Sequence, residues 1–353
     1  MKNYRLALLP GDGIGKEVIP AAVLVLFAAA KEFTLSFKPF DWGCEYYLRQ
    51  GRMMPEDGLE TLRPFDAILL GAIGHPTVPD HISLRELLLR IRFEFDLYVN
   101  LRPVEILPGI ESPLRGKRPE DINMLFVREN SEGEYAGVGG RFKRGTADEV
   151  AIQQSVFTRK GVERVVRYAF QQAQRRPRKR LASATKSNAM QYTMVLWDEV
   201  VREVASDFPD VQVANYHVDA LAARMITHPE SLDVVVGSNL FADTLTDLGG
   251  ALQGSLGLAA SANINPVERH GPPVFEPVHG SAPDIEGQGI ANPIAAIWAS
   301  AMMLEHLGEA AAAARVMTAL KAVMADGRVR TPDLGGKNTT QEFAVAVAEQ
   351  VKA

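Results

Sequence analysis

The chain has only one cysteine, Cys44, among its 353 residues, so it cannot form a disulfide within itself. It also has no run of about 18 apolar residues, the length that a membrane-spanning helix needs. The apolar stretch near its first residue is too short for the core of a signal peptide. These absences exclude a disulfide-stapled scaffold, and they lead us to expect a cytoplasmic protein, since free thiols persist in reducing compartments.

The chain also lacks an excess of positive charge. Its 38 lysines and arginines are outnumbered by 43 aspartates and glutamates, which gives a formal net charge of -5. An acidic balance disfavours nucleic acid and anionic membranes as partners. The one dense basic run, RRPRKR at residues 175–180, is typical of a helix end with favourable cations, a proline stop and a new strand. We therefore expect no nucleic acid and no membrane as a partner.

The apolar pattern indicates an α/β protein. Apolar residues make up 46% of the chain and charged residues 23%, as in ordinary globular proteins. The length exceeds one hydrophobic core, which predicts two domains. Strand-like and helix-like segments alternate, and this order predicts an α/β architecture. Strands are predicted at 4–9, 34–40, 66–71, 97–106, 122–128, 149–158, 180–185, 211–217 and 233–237, and helices at 15–30, 83–95, 161–175, 190–206, 219–228, 240–252 and beyond 292.

A glycine-rich turn at residues 10–16, PGDGIGK, follows the first predicted strand and opens a helix. A dinucleotide-binding fingerprint occupies the same position in a Rossmann domain. Here the third glycine of that fingerprint falls on Lys16, and no acidic residue ends the next predicted strand about 20 residues later. The sequence therefore predicts a tight turn without a classical Rossmann domain.

Two aspartates, Asp243 and Asp247, lie four residues apart in the predicted helix of SNLFADTLTDLGG. That spacing puts both carboxylates on one helix face. Paired carboxylate oxygens suit a hard divalent cation such as Mg²⁺ or Mn²⁺. Taken alone, the pair is equally explained by solvated charges on a helix, although leucines surround it.

Three arginines, Arg92, Arg102 and Arg128, lie near the ends of predicted strands and helices. Arginine binds carboxylates with two parallel hydrogen bonds. Arg128 ends an apolar strand, from which a side chain can project into a ligand site. Each of the three, taken singly, is also compatible with a surface ion pair.

Tyr135 and Lys186 form a candidate acid–base pair. Tyr135 lies in the polar loop ENSEGEY, and Lys186 follows a predicted strand in ATKSNAM. A lysine near cations or a metal can act as a base, and a tyrosine can donate a proton to a carbon. Packing roles with exposed tips explain either residue equally well when it is taken alone.

Several stretches along almost the whole chain, in order, resemble the isocitrate/isopropylmalate dehydrogenase family. A further stretch, GHPTVPDHISL, resembles the branch of that family that acts on tartrate and D-malate. The stretches that carry the family resemblance are LLPGDGIGKEV, FDLYVNLRPV, VRENSEGEY, ATKSNAM, HVDALAARMI, SNLFADTLTDLGG, GSLGLAASANI, FEPVHGSAPDIEGQGIANP and RTPDLGGKNTTQEF.

The resemblance implies the family's two-domain α/β fold. Residues 1–97 and 256–353 would form a large cofactor-binding domain, and residues 98–255 a smaller domain with the dimer interface. The protein would be a homodimer whose active-site cleft takes residues from both subunits.

The resemblance also implies roles for individual residues. Substrate carboxylates would be bound by Arg92, Arg102 and Arg128. A Mg²⁺ or Mn²⁺ ion would be held by Asp243, Asp247 and the partner subunit's Asp219. Proton transfer would fall to Tyr135 and the partner subunit's Lys186, with Asp219 as an alternative relay.

The cofactor implied by the resemblance is NAD. Asp284 would bind the adenosine ribose hydroxyls, and its charge would repel a 2′-phosphate, so NAD is favoured over NADP. His279 would shape the loop and not act as a base. A requirement for K⁺ stays open. The residues that match the cofactor loop are His279, Gly280, Ser281, Ala282, Pro283, Asp284, Ile285 and Asn292.

Substrate choice is expected to depend on the helix at residues 83–95. Relatives of the tartrate and D-malate branch have HISLWG here, whereas this chain has Arg85 and Glu86 after HISL. Arg85 and Leu88 are expected beside Arg92, and an arginine argues against an isopropyl pocket. We expect a D-malate or tartrate type of substrate. The alternatives are 3-isopropylmalate, a tricarboxylate such as homoisocitrate, and a non-catalytic, ligand-sensing subunit of the same fold.

Overall fold

The computed structural model describes residues 1–353 and contains twelve strands among helices, which confirms the predicted α/β class. The chain forms two compact units. The first unit comprises residues 1–97, 105–119 and 250–353, and the second comprises residues 98–104 and 120–249. No helix has both the length and the apolarity needed to cross a membrane.

The strands are β1 (Lys2–Gly11), β2 (Phe33–Pro39), β3 (Ala67–Ala72), β4 (Val99–Glu105), β5 (Asn123–Glu129), β6 (Gly139–Phe142), β7 (Val150–Gln153), β8 (Arg180–Thr185), β9 (Gln212–His217), β10 (Val234–Gly237), β11 (Ala260–Ile264) and β12 (Val274–Pro277). The helices are α1 (Gly15–Ala29), α2 (Cys44–Gln50), α3 (Gly58–Leu62), α4 (Asp80–Ser83), a π-helix (Leu84–Leu89), α5 (Arg90–Glu94), α6 (Arg159–Arg175), α7 (Thr193–Ala205), α8 (Val218–Thr227), α9 (Asn239–Leu252), α10 (Ile294–His306), α11 (Ala310–Asp326) and α12 (Thr340–Lys352).

The sheet of the first unit has the strand order β2-β1-β3-β12-β11. Neighbouring strands are parallel except β11, which runs antiparallel to β12. Helices α1, α10, α11 and α12 pack together on this unit, and α10 buries nearly every residue. This strand order and the antiparallel pair differ from a classical Rossmann sheet, in agreement with the failed glycine fingerprint.

Alternate residues of the central strands of the first unit build a second core layer. Leu9 of β1 and Leu70 of β3 lie in one apolar cluster with Trp42, Leu87 and Ile91. The period of two along each strand explains why one face meets this cluster and the other meets α1. The helical segment at residues 80–94 is thereby fixed against the sheet through its apolar face.

The sheet of the second unit has the strand order β4-β5-β10-β8-β9, and β5, β10, β8 and β9 are all parallel. Helix α6 packs on β5, β8 and β10, and α8 packs on β8 and β9. Helix α6 starts where the Thr158 hydroxyl accepts a hydrogen bond from the Gly161 N–H, an ordinary N-cap. The strands β6 and β7 form a separate antiparallel hairpin.

The units differ from the sequence-based division at two segments. Residues 105–119 and 250–255 belong to the first unit by their contacts, whereas the sequence division put them in the middle domain. Lys321 of α11 pairs with Glu105 at 2.8 Å, and Arg330 donates to the Gly109 carbonyl at 2.8 Å. These contacts tie the first of the two segments to the C-terminal helices.

The predicted elements agree with the structure except in short segments. The helix predicted at residues 83–95 starts at Asp80 and contains the π-helix, and the strand predicted at 149–158 ends at Gln153. Strands β6, β11 and β12 and helices α2 and α3 had no sequence signal that we used. The apolar residues Leu84, Leu87, Leu88, Ile91 and Phe95 of this segment are all buried or partly buried.

Candidate active site

The candidate residues of the second unit lie after the carboxyl ends of its parallel strands. Arg128 is the penultimate residue of β5, Asn239 opens α9 just after β10, Lys186 follows β8, and Asp219 lies just after β9. Parallel strands bring their carboxyl ends to one edge of a sheet, which is where α/β proteins bind ligands. The strand order therefore collects these side chains along one edge.

A buried arginine is held at this edge by an amide. Asn239 Oδ1 accepts hydrogen bonds from Arg128 Nε at 3.0 Å and Nη2 at 2.7 Å. Arg128 Nη1 pairs with Asp243 Oδ1. Only 2% of Arg128 is exposed, so its charge depends on these partners for solvation. Its orientation is consequently fixed towards Asp243.

Asp243 is a meeting point for two further side chains. Arg102 Nη2 lies 3.2 Å from Asp243 Oδ1, and the Tyr135 hydroxyl donates to Asp243 Oδ2 at 2.9 Å. Arg102 is itself fixed by Asn100 and Thr246, each at 2.7 Å. The structure thus brings together four of the predicted site residues, two arginines, a tyrosine and an aspartate, within one unit.

Asp247 lies one helical turn from Asp243 in α9, as the sequence predicts. Partial desolvation and then the negative charge of Asp243 raise the pKa of the Asp247 carboxyl, and Arg102 and Arg128 offset only part of this rise. Two carboxylates that repel each other beside arginines are a pair that a divalent cation would neutralise. The donor set on α9 therefore fits a hard metal ion.

Lys186 and Asp219 form a second, separate group. Lys186 Nζ lies 2.6 Å from Asp219 Oδ1, and this hydrogen bond is the main cause that lowers the pKa of the Asp219 carboxyl. The pair arises because β8 and β9 are neighbours, Lys186 directly follows β8, and Asp219 is the second residue after β9. The structure therefore places Lys186 and Asp219 together at the carboxyl edge of the sheet.

Within one chain, no three histidine, cysteine, aspartate or glutamate side chains come together in a metal-binding cluster. Asp219 is therefore not brought to Asp243 and Asp247 by the folding of a single chain. This is the arrangement expected if the third carboxylate comes from another subunit, as the resemblance implies.

The helix at residues 80–94 places the remaining substrate candidates in the first unit. Arg92 and Leu88 are buried, whereas Arg85 is exposed. Arg85 and Arg92 are seven residues apart, a spacing that would put them on one face of a regular α-helix. The π-helix at Leu84–Leu89 has a wider turn, so this spacing does not align the two arginines here. Arg85 and Arg92 thus differ in solvent exposure. π-helical turns are frequent at functional sites.

The predicted cofactor segment packs on the glycine-rich turn of the first unit. The Ile14 N–H donates to the Ser281 carbonyl at 2.9 Å. A Cβ atom at Gly13, where φ is +53°, would lie 2.0 Å from that same carbonyl oxygen. The glycine at position 13 is therefore required for this close approach, and the turn shapes the loop after β12.

His279 and Gly280 begin this segment. Burial lowers the pKa of the His279 imidazole, and its Nδ1 lies 3.0 Å from the Gly280 carbonyl. The buried Nε2 has no partner in the chain. A Cβ at Gly280 would meet nothing within 4 Å, so the space beside it is open. An unsatisfied ring nitrogen fits a bound ligand that supplies the missing partner.

Asp284 and Asn292 differ in how their side chains are used. Asp284 is exposed and projects a carboxylate from the loop, as a ribose-binding residue must. Asn292 Oδ1 accepts from the Ile294 N–H at 2.9 Å, and its Nδ2 donates to Asp333 at 2.9 Å. The Asn292 amide therefore satisfies the first N–H of α10 and is held in place by Asp333.

The basic run at residues 175–180 and Cys44 have structural explanations. Arg176 and Arg178 both pair with the buried Asp233 next to β10. Cys44 is buried, and desolvation raises the pKa of its thiol to about 12, so it is not a nucleophile at neutral pH. Neither feature contributes to the candidate site.

Sequence reasoning missed several residues that fix the site. Asn239 holds Arg128 from 111 positions away, and Glu276 pairs with Arg92 from 184 positions away. Glu129 is fully buried, and desolvation raises the pKa of its carboxyl even though Ser131 and Glu132 donate to it. These contacts follow from the order of strands in each sheet. The dipeptide Ser238-Asn239 at the start of α9 is a local signal for a helix N-terminus, because both residue types are common at N-caps.

Comparisons with known proteins agree with this geometry. The family model for isocitrate/isopropylmalate dehydrogenase matches residues 5–347. The chain is 54% identical to D-malate dehydrogenase (decarboxylating) of Escherichia coli strain K12 over 99% of each sequence. It is 51% identical to a probable tartrate dehydrogenase/decarboxylase of Bacillus subtilis strain 168, over 100% of this chain and 99% of that relative. The solved isocitrate dehydrogenase from Methylococcus capsulatus superposes with a TM-score of 0.88 at 37% identity, over 99% of this chain and 100% of that one, which confirms the predicted fold.

Proposed function

The chain belongs to the isocitrate/isopropylmalate dehydrogenase family, and from that premise we propose that it oxidises and decarboxylates a 2-hydroxy diacid of the D-malate or tartrate type. The observation that carries this proposal is the cluster of Arg102, Arg128, Tyr135, Asp243 and Asp247. Two buried arginines beside two aspartates give a site that attracts both carboxylates and a divalent cation.

Each residue of the cluster has a distinct task in this reaction. Arg102 and Arg128 bind substrate carboxylates, because their guanidinium groups are already fixed by amide and hydroxyl partners. Asp243 and Asp247 hold Mg²⁺ or Mn²⁺. Arg92 is proposed as a further carboxylate ligand, and Leu88 and Arg85 as residues that contact the substituent on C3. Fixed donors lower the cost of orienting the substrate.

Two proton transfers are assigned to residues of the chain. Lys186 removes the proton of the C2 hydroxyl as the C2 hydride leaves. Loss of the C4 carboxylate as CO₂ then gives an enolate, and the Tyr135 hydroxyl returns a proton to C3, so that D-malate yields pyruvate and CO₂. When bound, the divalent ion supplies positive charge for the developing oxyanions, and NAD⁺ accepts the hydride.

We propose that the active enzyme is a homodimer. Lys186 and Asp219 belong to a group separate from Asp243 and Asp247, and Asp219 does not join the two α9 aspartates within one chain. A second copy that supplies its Asp219 and Lys186 completes both the ligand set and the acid–base pair. A cytoplasmic location stays a prediction from the sequence.

We propose NAD as the cofactor, bound by the loop from His279 to Ile285 and by Asn292. The unpaired Nε2 of His279, the open space beside Gly280 and the exposed carboxylate of Asp284 support this assignment. A negative charge at position 284 favours ribose hydroxyls over a 2′-phosphate. Whether K⁺ assists is left to the assay that follows.

A substrate panel tests the proposed function. NADH formation is followed at fixed Mn²⁺ or Mg²⁺, with and without K⁺. The panel contains D-malate, L- and meso-tartrate, 3-isopropylmalate, isocitrate and homoisocitrate. We expect the highest kcat/KM for D-malate or a tartrate, with loss of activity in EDTA because the oxyanions lose their counter-charge.

Other results of the panel would change the proposal in specific ways. A preference for 3-isopropylmalate would mean that Arg85 points away from the substrate. A preference for a tricarboxylate would assign Arg85 to the additional carboxylate. Activity that survives EDTA treatment would contradict the role given to Asp243 and Asp247. Full activity with NADP⁺ would contradict the role of Asp284.

The Asp284→Ser variant should raise the KM for NAD⁺ by about tenfold, because a hydrogen bond to a charged group contributes about 1.5–3 kcal/mol. The same change should narrow the preference for NAD⁺ over NADP⁺, since the repelling charge is gone. The measurement is kcat/KM for both cofactors at saturating substrate and metal.

A matched control for this variant lies two residues away. Glu286 is also an exposed acid of the loop and pairs with Lys16 at 3.2 Å. Glu286→Gln should leave both cofactor constants within about twofold, since exposed ion pairs contribute little. If the two substitutions had equal effects on the cofactor constants, the cause would be the total negative charge of the loop. The specific role of Asp284 would then be wrong.

A further inference from the structure

Arg92 is a buried arginine with few partners. Its residue exposure is 4%, yet its guanidinium, which carries five N–H donors, makes one hydrogen bond to a side chain, from Nη2 to Glu276 Oε1 at 2.7 Å. Its Nε is fully buried and has no acceptor. A desolvated donor without an acceptor costs about 1–3 kcal/mol. Such a group is expected where a ligand later supplies the missing acceptor.

Glu276 is built into the sheet in a way that fixes its carboxylate. It lies on β12, its residue exposure is 5%, and its backbone carbonyl accepts from the Ser261 hydroxyl of β11 at 3.3 Å. Asn263 of β11 donates from Nδ2 to Glu276 Oε1 at 2.8 Å. The same oxygen therefore accepts from both Asn263 and Arg92, and its position follows from the antiparallel pairing of β11 with β12.

We propose that Glu276 is a positioning residue for substrate binding, which holds the Arg92 guanidinium so that the N–H donors that Glu276 does not take are presented to a carboxylate of the substrate. The inference rests on the proposed function, because it takes a carboxylate as the acceptor. Glu276 itself need not touch the substrate. It acts through Arg92, with Asn263 as the support that keeps the accepting oxygen in place.

The pair of Arg92 and Glu276 differs from an ordinary structural ion pair because it leaves part of the arginine without a partner. Arg92 belongs to helix α5, and Glu276 belongs to strand β12 of the sheet. A purely structural ion pair would satisfy the buried donors of the arginine, whereas this pair leaves Nε without an acceptor. The pair therefore neutralises the buried charge while it keeps donor capacity for a ligand.

A double-mutant cycle tests the inference in the full-length enzyme. Glu276→Ala should raise the KM for the diacid by about tenfold or more, with kcat within a few fold and an unchanged KM for NAD⁺, since it removes orientation and not chemistry. Arg92→Ala should raise the same KM. The double variant should be no worse than Arg92→Ala, because Glu276 acts only through that arginine. Effects that multiply, or a KM within about twofold of wild type in either single variant, would overturn the proposal.

Two additional variants separate positioning from folding. Asp233→Ala removes another buried carboxylate that pairs with arginines, in the second unit, and should leave the KM for the diacid unchanged. If Glu276→Ala does not fold, Glu276→Gln retains an oxygen acceptor for Arg92 and Asn263, and a KM rise of about threefold that disappears in the Arg92→Ala background has the same meaning. A rise that persists in that background would count against the proposal.

Failure of this inference can be told apart from failure of the proposed function. If wild type oxidises none of the diacids, the proposed function is wrong, and the inference is then decided by calorimetric binding of succinate, a plain dicarboxylate. Binding that weakens equally in Glu276→Ala and Arg92→Ala supports the positioning role. Absent binding by wild type, or equal binding by all three proteins, overturns it.

Discussion

Replacement of Lys186 by methionine should lower kcat by about a thousandfold, since general acid–base catalysis contributes about 10²–10⁴. Lys186 follows β8 and pairs with Asp219 at 2.6 Å. The backbone at position 186 is fixed by the neighbouring strands β8 and β9, so the local fold should survive the substitution. Methionine retains most of the length of the side chain and removes the base. The affinities for NAD⁺ and metal, measured by fluorescence titration, should stay within about threefold of wild type.

The opposite end of the same two strands supplies a matched control. Lys179 precedes β8 and pairs with Asp210 before β9 at 2.7 Å, which reproduces the chemistry of the Lys186–Asp219 pair away from the carboxyl edge. Lys179→Met should leave kcat unchanged, because an exposed ion pair contributes about 0–1 kcal/mol. Normal turnover by Lys186→Met would remove the lysine from the mechanism.

The Asp247→Asn variant should lose activity without losing stability. We expect kcat/KM to fall by about a hundredfold or more, since the ion contributes several kcal/mol and each 1.36 kcal/mol is tenfold in rate. The folded-state pKa of the Asp247 carboxyl is raised, so its ionised form opposes folding at pH values above the unfolded pKa. Removal of that charge should give an equal or higher melting temperature at neutral pH in EDTA.

A lower melting temperature for Asp247→Asn would show that the aspartate is a structural residue, and normal activity would show that it does not bind the metal. Glu203→Gln is a suitable control, because Glu203 is an exposed acid of α7 that pairs with Arg159 at 2.6 Å. This variant should match wild type in activity.

Mixing the two inactive variants, Lys186→Met and Asp247→Asn, tests the shared site. A mixed dimer has one site with both changes and one site with neither, if Lys186 comes from the partner subunit. Random exchange makes about half of the dimers mixed, so about a quarter of wild-type activity should return. No recovery after demonstrated exchange would mean that each subunit carries its own lysine.

Much of this architecture follows from local patterns in the sequence. The apolar periodicity predicts β3, β5, β8 and most long helices because each element buries one face or both faces continuously. Strands β11 and β12 lack such a signal, since they have five and four residues and are bounded by glycine, proline and asparagine. They pair with each other, and β12 also pairs with β3, which lies far earlier in the chain.

The candidate site also contains residues that a local pattern predicts and contacts that no local pattern predicts. Asp243 and Asp247 are predicted by spacing along one helix, and the structure places them so. The contacts of Arg92 with Glu276 and of Arg128 with Asn239 join residues more than 100 positions apart. No local pattern indicates which acid or amide will face a given arginine, because that depends on the order of strands in each sheet. The residues proposed to do chemistry were therefore easier to predict than those that orient them.

The division of the chain into two units has a consequence for the order of synthesis. The second unit is complete once about residue 249 has been made, whereas β3 and α1 of the first unit must wait for β12 and the C-terminal helices. At about 5–20 residues per second, the roughly 200 residues between β3 and β12 take about ten seconds or more to synthesise. During that interval the edge of β3 and the apolar face of α1 are open to chaperones, so an early part of the chain is among the last to reach its native environment.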